Sequence, residues 1–365
     1  MLMKAPVLRE VRQPITVEQV EVQDPQAGEV MVRMVASGVC HSCLHAADGS
    51  WADTLTPMIL GDEGAGIIEK VGAGVSHLKP GDHVIVSWAP TCGRCYYCVA
   101  GRPPLCDGRG PRGMQVDGTS RFKWNGETVY HYGMVSTYAP YAVMPESCAI
   151  KIRDDMPLEL AALIGCSVMT GVGSVINTAQ VAPGMSLAVF GCGGVGLNAV
   201  QGGRLASAQP LIAVDVADNK LEFARQMGAT HTVNPAQTNA PDEIRKITGR
   251  GVDYAVVTVG DTRAIETAWA SLAKGGTCVV VGLPASGTTF SIDVRATLVG
   301  AERRLMGSNY GSARTRNDFP RMVELYLAGK LKIDELITRK FTINETNEAF
   351  QALAAGELAR GLIVF

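Results

Sequence analysis

The spacing of apolar residues changes character near Met169. Upstream, apolar residues fall in short runs cut by Gly and Pro. Glu29 to Val39 (EVMVRMVASGV) partly alternates, as a strand with one buried face does, while Gly66 to Val71 and His83 to Trp88 are brief β-rich runs bounded by VGAG and KPGD turns. Many short strands predict a barrel-like β domain. Downstream, strand-like and helix-like segments alternate: Leu187 to Phe190, a GCGGVG turn, a helix over Val195 to Ala206, a strand over Leu211 to Val214, and a helix over Asn219 to Met227. The alternation continues with Asp242 to Ile247 (helix), Val252 to Thr258 (strand), Arg263 to Leu272 (helix) and Thr277 to Val281 (strand), which predicts a doubly wound parallel sheet and an α/β class overall. Phe319 to Ala328 and Glu345 to Ala355 read as surface helices, and Gly361 to Phe365 as a strand that returns to the first domain. The expected divisions are residues 1–167, 168–310 and 311–365.

The chain has 365 residues, more than one core usually serves. At 47% hydrophobic and 19% charged it can build full cores and is not disordered. Its 33 basic and 35 acidic side chains balance, leaving no field to recruit nucleic acid or an anionic membrane, so the expected partner is a small molecule. The opening MLMKAPVLREVRQP lacks the apolar run of a secretion signal, and no stretch approaches the roughly eighteen uninterrupted apolar residues of a spanning helix, so a cytoplasmic location is expected. Ten cysteines in a reducing compartment then point to metal ligands or buried thiols rather than disulfides.

Four of them, Cys92, Cys95, Cys98 and Cys106, read C-x2-C-x2-C-x7-C in a turn-rich segment. Four thiolates so close can fill a tetrahedral zinc shell, the arrangement of a structural site. The first three gaps also match an iron–sulfur run, but that run continues with three residues and Cys-Pro, whereas here seven residues intervene and Asp107 follows Cys106. Zinc is the favoured reading, with an iron–sulfur cluster and metal-free buried thiols as the others.

In Gly191, Cys192, Gly193, Gly194, Val195, Gly196, glycines stand where a dinucleotide-binding turn needs a tight bend, backbone approach to a pyrophosphate and close helix packing. Asp215 follows Gly196 by nineteen residues at the end of the next strand. An acid there binds ribose hydroxyls and repels a 2′-phosphate, favouring NAD over NADP; the other reading is a turn-capping acid.

These motifs, in this order, resemble the zinc-dependent alcohol dehydrogenases of the medium-chain dehydrogenase/reductase family over essentially the whole chain. The strings GVCHS (Gly38 to Ser42), GDEGAGIIEKVG (Gly61 to Gly72), DGTSRF (Asp117 to Phe122), LIGCSVMTG (Leu163 to Gly171) and the closing ARGLIVF carry the resemblance with the cysteine lobe and glycine turn. DGTSRF lies in a long loop similar to that of the branch holding long-loop alcohol and glutathione-dependent formaldehyde dehydrogenases. The resemblance implies a GroES-like β-barrel catalytic domain with a Rossmann domain, zinc and NAD as cofactors, and a homodimer, with a tetramer as the alternative. It puts Cys40 and Cys166 at the catalytic zinc with Glu63 behind the metal, and Ser42 and His45 in a proton relay. His41, Lys220 and Arg360 are implied at the cofactor's phosphates and ribose, Thr170 and Val195 as flanking the nicotinamide, and Val259 and Val281 as further cofactor-binding residues. Trp88, Tyr132 and Leu283 are implied as substrate-channel walls, with Asn309 near the mouth. Each also has a purely structural reading: buried thiols for the cysteines, a surface histidine for His45, solvated charges for Lys220 and Arg360, and core packing for Trp88.

One departure stands out. The family's third zinc ligand is usually the histidine of Gly-His-Glu; here the string is Gly61, Asp62, Glu63. A carboxylate ligates zinc at about 2.0–2.2 Å, but Asp is shorter than His, so the backbone or the metal must shift, or Glu63 must help. The acid that usually orients that histidine is here Cys43. An aspartate has no ring N–H to donate, so the two changes fit together; Cys43 as a ligand, or a site without catalytic zinc, are the other readings. An added charge at about 4 Å with an effective ε near 20 is worth on the order of 4 kcal/mol, so a bound alcohol is expected to ionise at higher pH. The expected reaction is hydride transfer between NAD and a primary, medium-sized or aromatic alcohol, or its aldehyde in reverse. S-hydroxymethylglutathione is disfavoured, because the acidic pair of its dehydrogenases is not matched in Ala46 to Pro57. A zinc-free double-bond or imine reductase and a non-catalytic nucleotide-binding protein are the alternatives.

Overall fold

The computed structural model describes residues 1–365. The chain divides into two compact units, Met1–Cys166 with Arg314–Phe365, and Ser167–Ala313.

The first unit opens with β1 (Leu2–Val7), β2 (Thr16–Val22) and β3 (Glu29–Gly38), then α1 (His41–Asp48), β4 (Met58–Ile59), β5 (Gly64–Val71) and β6 (His83–Val86). A short α2 (Tyr96–Val99) lies in the cysteine lobe, followed by β7 (Phe122–Trp124), β8 (Glu127–His131), β9 (Tyr141–Pro145) and β10 (Ala149–Lys151). A 22-residue helix, Leu158–Ala179, contains α3 (Leu158–Leu163) and α4 (Met169–Gly173), with π-helical turns over Ile164–Val168 and Ser174–Ala179. It has the length and composition of a membrane span, yet 78% of its apolar window is buried inside the protein, which makes it a core helix. Sequence periodicity missed it because it is apolar on every side. The division between the units falls just after Cys166, within its first π-turn.

The second unit follows the expected alternation: β11 (Leu187–Phe190), α5 (Gly194–Leu205), β12 (Leu211–Val214), α6 (Asp218–Met227), β13 (His231–Val233), α7 (Ala240–Thr248), β14 (Val252–Val257), α8 (Thr262–Ala270), β15 (Leu272–Val280) and β16 (Arg304–Gly307). Of these, β13 and β16 are further strands that the sequence pattern did not place. All strand pairs are parallel, in the order β13-β12-β11-β14-β15-β16. The order reverses between β11 and β14, the crevice where open α/β sheets bind ligands. Strand β15 begins five residues before the expected Thr277, because Leu272 pairs with Val252 ahead of a register shift.

The chain closes in the first unit with α9 (Thr315–Leu327), β17 (Ile337–Phe341), α10 (Thr346–Ala354) and β18 (Arg360–Val364). The final strand pairs antiparallel with β3, Leu362 opposite Gly38. Strand β3 also pairs with β5, Ser37 opposite Gly64. One strand end thereby gathers the residues after Gly38, those before Gly64 and the start of β18. The first unit's cores lie on both sides of this sheet; one contains Val39, Cys43, Leu60 and Tyr138, the other Val32, Met34, Val86 and Val135.

Candidate active site

Three donors converge beside that strand end. The Cys40 and Cys166 sulfurs and an Asp62 carboxylate oxygen lie within 4.8 Å of one another, and Asp62 is 6% exposed. Cys40 caps the N-terminus of α1, Asp62 stands in the turn before β5, and Cys166 projects from the π-turn. Three protein ligands with a position left open is the donor set of a catalytic zinc site, and the residues present fit that ion. A hydrogen bond from Cys166 holds the Cys40 thiol well below its ordinary range, assisted by the Arg360 charge, whereas Cys166 itself is pushed up. Burial and the Cys40 charge raise the Asp62 carboxyl to about 8.

Both Asp62 oxygens are held. Ser42 Oγ donates to Oδ2 at 2.6 Å, and the Cys43 thiol donates to Oδ1 at 3.8 Å. Cys43 is fully buried and stands outside the set of converging donors. Burial, with the neighbouring Asp62 charge, pushes its thiol up, keeping the proton it donates. Tyr132 lies near this group, its hydroxyl pushed up chiefly by burial and further by the neighbouring Asp62. His45 lies one turn along α1 from Ser42, its ring 5.7 Å from Trp51 and 6.2 Å from the exposed His41.

Glu63 stands outside the set of converging donors. Its carboxylate is fully buried and takes the Arg360 guanidinium, itself 4% exposed, as its ion-pair partner. Gly38 makes this geometry available, since a Cβ there would overlap the Glu63 carboxylate and the Arg360 guanidinium. Arg360, expected at a phosphate, is thus committed to Glu63 in this structure, and its charge acts on Cys40 and Asp62. No sequence motif links Glu63 with Arg360, 297 positions apart. Trp88 packs against the second core cluster, with the Arg109 guanidinium 6.0 Å from its ring.

The lobe cysteines also converge, with Cys92, Cys95, Cys98 and Cys106 sulfurs all within 4.8 Å. Backbone N–H groups point at them: Cys95 to the Cys92 sulfur at 3.3 Å, and Cys92 and Gly108 to the Cys106 sulfur at 3.3 and 3.2 Å. N–H donors from Arg94 and Cys95 bring the Cys92 thiol down to about 6. Four thiolates oriented by amides, with no other ligand type, fit a closed zinc site.

In the second unit the glycine turn has the expected form. Gly191 has φ +92°, and a Cβ on Gly196 would collide with the Gly191 carbonyl. Nothing lies within 4 Å of the Cβ position of Gly193, leaving backbone there open to approach, and Gly194 begins α5. Asp215 sits just after β12; its Oδ2 accepts the Cys192 N–H at 2.7 Å and its Oδ1 the Ala217 N–H at 3.0 Å. It therefore caps the turn as well as standing where a ribose-binding acid belongs. Lys220 lies in the first turn of α6 and acts electrostatically on Cys192. Val259 packs against Gly191 and Gly282, next to Val281, whose N–H bonds to Val257. Gly171 lets α4, carrying Thr170, pack closely on the Val195 carbonyl. Leu283 is 60% exposed, and Asn309 caps the turn Tyr310–Ser312.

The alcohol dehydrogenase GroES-like domain pattern matches residues 26–154, and the zinc-binding dehydrogenase pattern matches residues 194–328. The chain is 37% identical to the S-(hydroxymethyl)glutathione dehydrogenase of Paracoccus denitrificans, with 99% of each chain covered. Among solved structures it is similar to benzyl alcohol dehydrogenase from Acinetobacter calcoaceticus (TM-score 0.95, 32% identity, covering 100% of this chain and 99% of that one). An alcohol dehydrogenase zinc-binding domain protein from Burkholderia ambifaria matches with TM-score 0.95 and 34% identity over the same shares.

Proposed function

We propose, from the premise that the chain belongs to the zinc-dependent alcohol dehydrogenases of the medium-chain dehydrogenase/reductase family, that it oxidises a medium-sized or aromatic primary alcohol to the aldehyde, with NAD accepting the hydride. The observation carrying this reading is the convergence of Cys40, Asp62 and Cys166, with Ser42 bonded to Asp62 beside them. These three residues would hold the catalytic zinc, which when bound supplies the positive charge that favours ionisation of an alcohol hydroxyl. Ser42 donates its proton to Asp62 in this structure, so accepting the alcohol's proton requires that its own proton turn away from Asp62 and leave toward His45, one proton released for each accepted. His45, three residues further along α1 with 28% of its side chain exposed, takes up the proton that Ser42 releases and passes one on to solvent. Asp215 supports NAD, because a 2′-phosphate would meet a carboxylate there. The assembly is proposed as a homodimer.

Two observations favour an alcohol without a glutathione moiety. The acids of the 46–57 segment are already engaged: Asp48 accepts the Ser50 N–H and lies 3.9 Å from His45, and Asp53 pairs with Arg112. The ring of Trp51, against His45, adds apolar surface. The test is zinc analysis of the purified chain with a panel of benzyl, medium-chain and short alcohols and S-hydroxymethylglutathione, each with NAD and NADP. Two zinc ions per chain and the highest kcat/KM on an apolar alcohol with NAD are expected. One zinc ion with reductase activity, or a preference for S-hydroxymethylglutathione, would refute the reading.

A further inference from the structure

We infer that Cys43 is a positioning residue for Asp62: its buried thiol and the Ser42 hydroxyl form a two-donor clamp, one on each carboxylate oxygen, that sets how Asp62 enters the metal site. The inference rests on the proposed metal site and adds what holds the unusual ligand in place.

The geometry assigns this role in three steps. Aspartate rotates about two side-chain bonds, and a carboxylate serving as ligand must be fixed to hold an ion in one geometry. Oδ2 is fixed by Ser42 at 2.6 Å and Oδ1 by the Cys43 sulfur at 3.8 Å, so rotation in either direction breaks a hydrogen bond. The two donors are consecutive residues of α1, whose first turn is anchored by Cys40, itself one of the converging donors. Ligand and clamp thus ride on one helical turn. Cys43 is also immobile: it is 0% exposed and packed in a core that contains Val39, Leu60 and Tyr138. A thiol suits the place for two reasons. It donates one hydrogen bond without adding charge to a site that already gathers two cysteines and a carboxylate, and it tolerates the apolar packing around it.

The experiment uses the full-length chain with its metal, in wild type, Cys43→Ala, Cys43→Ser, Asp62→His, and Asp62→His with Cys43→Ala. Two readouts are taken: zinc retained per chain during dialysis against a chelator, and the visible spectrum after cobalt(II) exchange. Cys43→Ala frees Oδ1 and is expected to shift the cobalt bands and speed loss of the more labile ion by about tenfold, the usual scale for removing a partner of a metal ligand. Cys43→Ser, which keeps a donor with shorter reach, should fall between. In the Asp62→His background, where no carboxylate needs the thiol, Cys43→Ala should change neither readout further. Three results would overturn the clamp: wild-type retention and spectrum in Cys43→Ala, an equal loss in the Asp62→His background, or disappearance of one sulfur-to-cobalt charge-transfer contribution, which would make Cys43 a ligand. A wild type that binds only one zinc ion per chain fails at the earlier step and removes the metal-site reading and the clamp together. Two ions with an indifferent Cys43→Ala remove the clamp alone.

Discussion

The Glu63–Arg360 pair offers a stringent perturbation, because its two members are expected to fail unequally. Their side chains are 0% and 4% exposed, so removing one leaves the other as a buried charge without its partner, a loss of about 3–5 kcal/mol. The first unit has on the order of 200 residues, for which each kcal/mol lowers Tm by roughly 2–4 °C, giving about 6–20 °C in all. The surroundings divide that range. In Glu63→Gln the orphaned Arg360 still faces negative charge from Cys40 and Asp62, which takes over part of the compensation. A fall of about 6–10 °C is expected. In Arg360→Met the orphan is Glu63, left beside those same negative groups with no cation. The fall should then reach about 10–20 °C, and zinc should be lost more readily because the positive charge stabilising the Cys40 thiolate has gone. The double variant carries neither charge and should recover at least half of the Arg360→Met loss. Differential scanning calorimetry at fixed pH and zinc concentration, with zinc analysis of the same samples, measures all four proteins. Equal losses for the two single variants that add in the double would refute the reasoning, as would a Glu63→Gln Tm within about 2 °C of wild type.

Asp215→Ser removes the carboxylate that disfavours a 2′-phosphate but also loses the bond to the Cys192 N–H. The ratio of kcat/KM for NAD over NADP should fall by tenfold or more, chiefly through NAD, and an unchanged ratio in steady-state kinetics would contradict the assignment. Cys98→Ser opens the lobe and should lower bound zinc by one ion per chain and increase proteolysis around residues 92–108, as followed by mass spectrometry; full zinc content would rule out four-cysteine ligation. His131 is 1% exposed, accepts the Arg121 N–H at Nε2, and is held by burial at about 3. Folded His131 stays neutral while the unfolded chain takes up a proton below about pH 6.5, so its contribution is complete above that pH and declines as pH falls toward 3. At pH 5 this amounts to about 2 kcal/mol, and His131→Gln should flatten that part of a Tm profile between pH 5 and 8.

Legibility followed the range of the physical signal. The parallel sheet was readable because each element has its own local pattern and one glycine turn fixes where the first helix begins. The four-cysteine lobe was readable because all its donors fall within fifteen residues, so spacing is nearly geometry. DGTSRF was visible as a string but not as a structure. Its Arg121 is a buried guanidinium that clasps Glu29 at 2.7 and 2.8 Å and Asp117 at 2.6 Å, tying the loop to the first residue of β3. That role depends on Glu29, ninety-two residues earlier, and no local pattern reports it. Helix α1 was missed for another reason: eight residues with three buried positions give too little periodicity to distinguish it from a loop.

The Asp62 site shows where inference from sequence reaches its physical limit. The change from histidine was evident, and so was its company, Cys43. What that company does depends on whether one sulfur points at the metal position or at the carboxylate, a difference of a few ångströms set by the pitch of α1. Cys40 at the N-cap and Cys43 one turn later lie on nearly the same side of the helix. Two cysteines so placed are compatible with joint ligation of an ion, and their spacing alone does not decide it. The deciding contact comes from β5: the turn before it brings the Asp62 carboxylate onto the Ser42 hydroxyl and the Cys43 thiol, so the thiol spends its proton there while Cys166, from the π-turn, supplies the second sulfur. A ligand set assembled from α1, the turn before β5 and a core helix is a property of how those elements pack, and its residues are identifiable in the sequence before their division of labour is.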